Sequence, residues 1–281
     1  MRVLGCQEYD DQADAALRWR PRSAHQPSLL FCGMDPLGLL PYALAAGGGR
    51  VDGHEASALV AAGFTLLQRS LPLVRALGTG PVAVRPARWA EVLVALAASD
   101  GRGLRVLSQN QEPAGFLYPA GSNDHRPAAS VSVDLRAAPL QATVSAAQLT
   151  QVVDLGSHFG LDLIGDTETP GREEPCLMLP GQASWISHRQ LLHDARAAMA
   201  RHAFTPVHRT VVCTPFTSYE GLVQGVLAPL LDGGAVLTGA SLGVQEVHAV
   251  LADGEANVVV CGPDLELPPD IAARVIRVPL G

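Results

Sequence analysis

The chain has 281 residues, a formal charge of −7 and 48% apolar content, enough for one large α/β domain or two lobes with a full core. Its 20 basic residues are all arginine, so these residues serve no chemistry that needs a lysine amine, neither a Walker A cation nor a Schiff base. The acidic balance, with no basic cluster, argues against nucleic acid and against an anionic membrane surface as partners.

Residues 1–22 run from acidic to basic and read as a mobile or docking arm without a signal-peptide core. No uninterrupted apolar stretch reaches the roughly 18 residues that a membrane span needs. Five cysteines, Cys6, Cys32, Cys176, Cys213 and Cys261, show no metal-ligand spacing, and three of them lie in apolar strand-like runs and read as reduced core thiols. A soluble, cytoplasmic protein is expected.

In chain order, residues 28–32 (SLLFC) form a candidate strand, and the apolar segment 36–46 runs into Gly47-Gly48-Gly49. The triple glycine lacks the strand, loop and helix context of a phosphate site and reads as a flexible turn. Residues 56–77 carry the longest helical pattern, with Leu59, Phe64, Leu67, Leu71, Val74 and Leu77 apolar and a kink expected at Pro72. A strand at 81–84, a helix at 87–98 and a strand at 104–107 make a βαβ unit. The pattern then loosens, with short strands expected at 131–135 and 142–145 as a small antiparallel element. Residues 166–174 (DTETPGREE) read as an acidic linker and lobe boundary.

The chain is organised around residues 175–234. Cys176, Leu177, Met178 and Leu179 form an apolar run closed by Pro180-Gly181, which fits a strand ending in a tight turn. A helix follows, with Ser187 as N-cap and Gln190 three residues on. Leu191, Leu192, Ala195, Ala198 and Met199 share one face, and Thr205-Pro206 is the expected stop. A strand at 209–214 and a helix at 221–231, ended by Gly233-Gly234, complete the block. Strands at 235–238, 257–261 and 274–278 and a helix at 245–252 finish the chain.

This block resembles the adenylate-forming superfamily of acyl- and aryl-CoA synthetases, acyl-AMP ligases, luciferases and peptide-synthetase adenylation domains. Four segments carry the resemblance. Ser187-His188-Arg189-Gln190-Leu191 matches the helix start after the phosphate loop, and Phe204-Thr205-Pro206-Val207-His208-Arg209 the Leu-Thr-Pro-x-Asp-Arg segment. Pro215-Phe216-Thr217-Ser218-Tyr219-Glu220-Gly221 is similar to Pro-Leu-x-His-x-x-Gly, and Pro229-Leu230-Leu231-Asp232-Gly233-Gly234 to Pro-Leu-x-x-Gly-Gly. A weaker likeness extends to the βαβ unit, whose helix begins near Trp89. The resemblance implies an α/β fold of layered sheets with flanking helices, like the N-terminal lobes of those enzymes.

The chain departs from the family's pattern at the places where ATP chemistry is done. The phosphate loop, of the type Ser-Gly-Ser/Thr-Thr-Gly-x-Pro-Lys-Gly, is replaced by Pro180-Gly181-Gln182-Ala183-Ser184. Such a loop presents amides and a cation to phosphate oxygens; one glycine and no cation remain. Ser218 stands where the family has an aromatic or histidine beside the acyl site. The family's later segments, its hinge and its C-terminal domain, with the lysine that orients the acyl carboxylate, find no counterpart before Gly281, so an absent C-terminal domain is expected.

Several residues could carry chemistry. Ser187, His188 and Asp194 are the types of a nucleophile, base and orienter, but adjacent helix residues do not face each other, so Ser187 is read as a cap. His188 and His193 are five apart and poorly placed to share a metal, so no metal site is expected and a surface or rim histidine is the default. His202 suits a helix C-terminus. Trp185 follows the shortened loop and either plugs the vacated phosphate site or lines a remodelled pocket. Ser218, Tyr219 and Glu220 lie between a strand end and a helix, where α/β pockets form. With Trp185 and His188 they are the candidate ligand pocket.

The expected lobes are 1–110, 111–172 and 173–281. The expected function is a degenerate adenylate-forming homologue without ligase activity or a need for ATP and magnesium. It would serve an acyl or aryl group, a carrier protein or a partner synthetase, with a homo-oligomer as one possible state. The alternatives are a ligase subunit completed by another chain, and a thioester hydrolase or cyclase built on the same fold.

Overall fold

The computed structural model describes residues 40–76, 81–86, 88–99, 103–107, 115–119, 129–146, 149–156, 175–214, 218–238, 244–262, 265–272 and 276–279. The expected arm at 1–22, strand at 28–32 and acidic linker at 166–174 lie outside them. In chain order the elements are α1 (Leu40–Gly47), β1 (Arg50–Val51), β2 (His54–Glu55), α2 (Ala56–Ala76), β3 (Val82–Arg85), α3 (Trp89–Ala98), β4 (Leu104–Val106), β5 (Gly115–Pro119), β6 (Ala129–Asp134), β7 (Gln141–Ala146) and β8 (Leu149–Asp154). They continue with β9 (Pro175–Met178), β10 (Ile186–Ser187), α4 (His188–His202), β11 (Arg209–Val212), a π-helix (Gly221–Leu227), α5 (Ala228–Leu231), β12 (Ala235–Thr238), α6 (Val244–Ala252), β13 (Val258–Cys261), α7 (Pro269–Ala272) and β14 (Ile276–Pro279).

Two sheets organise these elements. The first has six strands in the order β14-β13-β11-β12-β1-β2, parallel from β14 to β1 and closed by the antiparallel β1–β2 hairpin. All four residues of β13 are buried, as suits an apolar run covered on both faces of a parallel sheet. The second has eight strands in the order β10-β9-β4-β3-β5-β6-β7-β8. Its β3–α3–β4 portion is the expected parallel βαβ unit, β9 extends it in parallel, and β5 to β8 form an antiparallel meander.

Strand pairing runs across the sequence boundaries at 110 and 172. β1 joins β12 from the last third of the chain, while β9 and β10 belong to the sheet of β3 and β4. α3 holds the layers together: nine of its ten residues are buried, the signature of a helix apolar all round. One apolar core threads α1, α2, α3, α4 and both sheets. A smaller cluster lies under α6 and α7, with Val211, Val247, Leu251, Val259, Cys261 and Ile271.

Three local expectations are corrected. The triple glycine is not a flexible turn: a Cβ at Gly47 would collide with the Leu230 carbonyl, and one at Gly49 would lie 2.8 Å from the Gly234 carbonyl. These glycines let α1 pass against the end of α5. Helix α4 stops at His202, with Ala203 in the left-handed conformation (φ 50°), before Thr205-Pro206 is reached. The helix expected at 221–231 opens as a π-helix, in which the Ala228 N–H reaches back to the Val223 carbonyl. Pro229 accounts for the wider turn, because it brings no donor and its ring would crowd the preceding turn of an α-helix. Meanwhile α2 continues as helix through Pro72.

Candidate functional site

The stretch from β9 to α4 is built as a hairpin. Ile186 of β10 pairs back on Leu177 of β9, and Ser187 on Pro175. The chain reverses at Pro180-Gly181, where the Gln182 N–H donates to the Leu179 carbonyl at 3.1 Å and Gly181 takes φ +80°. Proline at the second position and a positive-φ glycine at the third are the requirements of a type II turn. Ala183 and Ser184 are exposed, Gln182 is half-buried, and its Oε1 has no hydrogen-bond partner among the described residues. Trp185 is also half-buried, outside the main core, and its ring edge lies over Gly103.

Ser187 caps α4 as the sequence requires: its backbone is extended and its Oγ accepts the Gln190 N–H at 3.1 Å. His188 corrects the expectation of a surface or rim histidine. It is 4% exposed, and its Nδ1 accepts the N–H of Leu40, the first residue of α1, at 3.1 Å. That bond fixes the neutral tautomer with the proton on Nε2, and burial pulls the ring's pKa down to about 4. The histidine therefore ties α4 to an amide of α1. Its neighbour His193 is exposed.

Asp194 faces Tyr219, whose hydroxyl donates to Oδ2 at 2.5 Å, with the Gln190 side chain as a further partner of the phenol. Burial first, then the Asp194 carboxylate, pushes the Tyr219 phenol well above its ordinary value. Ser218 Oγ accepts the Gly221 N–H at 3.0 Å at the start of the π-helix. Glu220 is exposed. Thus Tyr219 joins α4 through Asp194 and Gln190, whereas Ser218 turns to its own helix and His188 to α1. Ser187, His188 and Asp194 each bond elsewhere, so they form no triad. Among the described residues no histidine ring is hydrogen-bonded to a serine or cysteine, and no three His, Cys, Asp or Glu side chains gather as metal ligands.

Sequence reasoning missed a polar cluster around Asp52 and Thr238. Asp52, in the turn between β1 and β2 with φ 51°, accepts the Thr238 N–H at 2.6 Å and the Thr238 Oγ1–H at 2.7 Å. Thr238 Oγ1 in turn accepts the Trp89 N–H at 3.2 Å, the first amide of α3. Burial raises the Asp52 carboxyl, opposed by Thr238, the Arg88 guanidinium and the Ala90 amide. The cluster ties the end of β12 and the β1–β2 turn to the start of α3, the helix of the β3–α3–β4 unit. No short-range signal could reveal it, since Asp52 and Thr238 are 186 residues apart.

Among the described residues no helix is long and apolar enough to cross a membrane. No family model and no curated protein sequence matches the chain. Solved structures do. ATP-bound MatB from Rhodopseudomonas palustris is 13% identical with a TM-score of 0.58, the match covering 86% of this chain and 54% of that one. CmiS6 is 17% identical with a TM-score of 0.54, covering 88% and 67%. A four-domain nonribosomal peptide synthetase bound to AMP and glycine is 14% identical with a TM-score of 0.51, covering 82% and 18%. The chain therefore has the adenylate-forming fold, over a span that corresponds to 54% of the MatB chain.

Proposed function

We propose that this chain is an adenylate-forming fold that has given up ATP-dependent ligation and serves as a binding or accessory component for an acyl or aryl group, a carrier protein or a partner synthetase. The observation that carries this reading is the hairpin at Pro180-Gly181. In the resembled enzymes the corresponding connection is a long loop of free amides, hydroxyls and one lysine. Here a tight turn takes its place and spends the Gln182 amide on the Leu179 carbonyl. A phosphate cradle needs several unpaired amides converging on one point, with a cation beside them. The segment 180–184 contains no basic residue.

The neighbouring groups support the same reading. His188 is committed to the Leu40 amide and, with a pKa of about 4, is neutral at physiological pH, so it offers no charge to a phosphate. Ser218, where the resembled enzymes carry an aromatic or histidine, caps the π-helix. Trp185, Ser218 and Tyr219 are each half-buried and Glu220 is exposed, and side chains with aromatic area and a single charge suit an acyl or aryl group better than a triphosphate.

The reading is tested by ATP–pyrophosphate exchange across a panel of fatty, aryl and amino acids. The expected result is no exchange above the protein-free control with any of them. Substrate-dependent exchange by this chain alone would overturn it.

A further inference from the structure

Three thiols are free among the described residues: Cys176, Cys213 and Cys261. Cys176 is buried in the main core. The other two are placed side by side by the six-stranded sheet. β11 and β13 run parallel with Thr210 opposite Val258, Val211 opposite Val259 and Val212 opposite Val260. The Cys213 N–H donates to the Val260 carbonyl at 2.9 Å, which carries the ladder one residue beyond β11. The next pair in that register is Cys213 opposite Cys261.

Alternation along a strand puts residues two apart on the same face. Cys213 therefore shares a face with Val211, and Cys261 with Val259, and all four pack in the small cluster beneath α6 and α7. Neighbouring strands lie about 4.8 Å apart, within the Cα separation of roughly 4.4–6.8 Å that a disulfide spans. Burial, and then the neighbouring Cys261, push the Cys213 thiol up to about 12. Cys261 is fully buried, whereas Cys213 is partly exposed at the strand's end.

We propose that Cys213 and Cys261 are a redox-active dithiol that closes to an intramolecular disulfide on meeting a small-molecule disulfide. Cys213, the more accessible, gives up its proton and attacks one sulfur of the external disulfide. A mixed disulfide forms and one small thiolate leaves, taking up that proton. Cys261 then loses its proton and attacks the Cys213 Sγ, expelling the second small thiolate, which is protonated in turn. Two protein thiols are oxidised and one external disulfide is reduced to two thiols. Cys213 directly precedes Thr214, whose side chain packs on Gly221 at the head of the π-helix. Closing the bond thus draws the end of β11 toward β13 next to the segment that carries Ser218 and Tyr219.

The test is to expose the full native chain to oxidised glutathione, alkylate the remaining thiols and map its peptides without reduction. The expected result is a cross-linked pair containing Cys213 and Cys261, a loss of two hydrogens from the intact mass, and full recovery of both thiols with a dithiol reductant. In Cys213→Ser, Cys261 is expected to stay reduced. The map of the unsubstituted chain decides the matter even if that variant does not fold. A stable glutathione adduct on Cys213, a cross-link from either residue to another cysteine, or recovery of both as alkylated thiols overturns the proposal.

Discussion

The two places where a helix start meets its surroundings are built differently. At the start of α3 a half-buried carboxyl group gathers the donors: Asp52 takes two hydrogen bonds from Thr238, and Thr238 takes one from Trp89. At the start of α4 neutral acceptors serve, Ser187 Oγ for the helix itself and His188 Nδ1 for α1, beside an exposed turn. The first junction clamps the six-stranded sheet to α3 through an acidic side chain. The second closes a hairpin and leaves its rim to solvent. The difference teaches that the Asp52 clamp and the hairpin are separate pieces of construction, so each can be altered without touching the other.

The largest effect is expected at the carboxylate. Asp52→Ala removes both bonds to a buried threonine and puts alanine at φ 51°, and it should cost about 4 kcal/mol in urea unfolding. Asp52→Asn tolerates the left-handed backbone and keeps one acceptor, so it should cost roughly half as much. A loss below about 1 kcal/mol for Asp52→Ala would show that the clamp does not hold α3 to the six-stranded sheet.

Next comes His188, through pH. Its folded pKa of about 4 lies below the ordinary value of 6.5, so the unfolded chain binds the proton first as the solution is acidified. The stability that neutral His188 contributes is full above about pH 6.5 and is lost as pH falls toward 4, a loss of up to about 3 kcal/mol. His188→Asn, which keeps an acceptor for the Leu40 amide without a titrating ring, should flatten that part of the stability–pH curve. An unchanged slope between pH 6.5 and 4 would contradict the placement of the ring.

The smallest effect belongs to the hydroxyl cap. Ser187→Ala should cost about 1 kcal/mol, the usual value of an N-cap, and Ser187→Asp should restore most of it. If Ser187→Ala matched Asp52→Ala in cost, the contrast between the two junctions would fail.

The parts of this architecture that rest on neighbours in sequence were legible. The βαβ unit from β3 to β4 followed from two short apolar runs around a helix, and the Ser187 cap followed from a serine before an apolar-periodic segment. β8 was not legible, because residues 150–152 are all exposed and leave no alternation to read. The triple glycine was misread because its reason is the Leu230 and Gly234 backbone, far along the chain. Long-range bonds hid in the same way: nothing local marks His188 as the acceptor for Leu40, or Asp194 as the partner of Tyr219. The π-helix had a local sign in Pro229, whose consequence depends on how the helix lies against the sheet.

The central claim is that the hairpin at Pro180-Gly181 does not hold a nucleotide. Titration calorimetry of the full chain with ATP and magnesium measures this directly. No saturable heat is expected up to millimolar ATP; a saturable isotherm in the micromolar range would contradict the account.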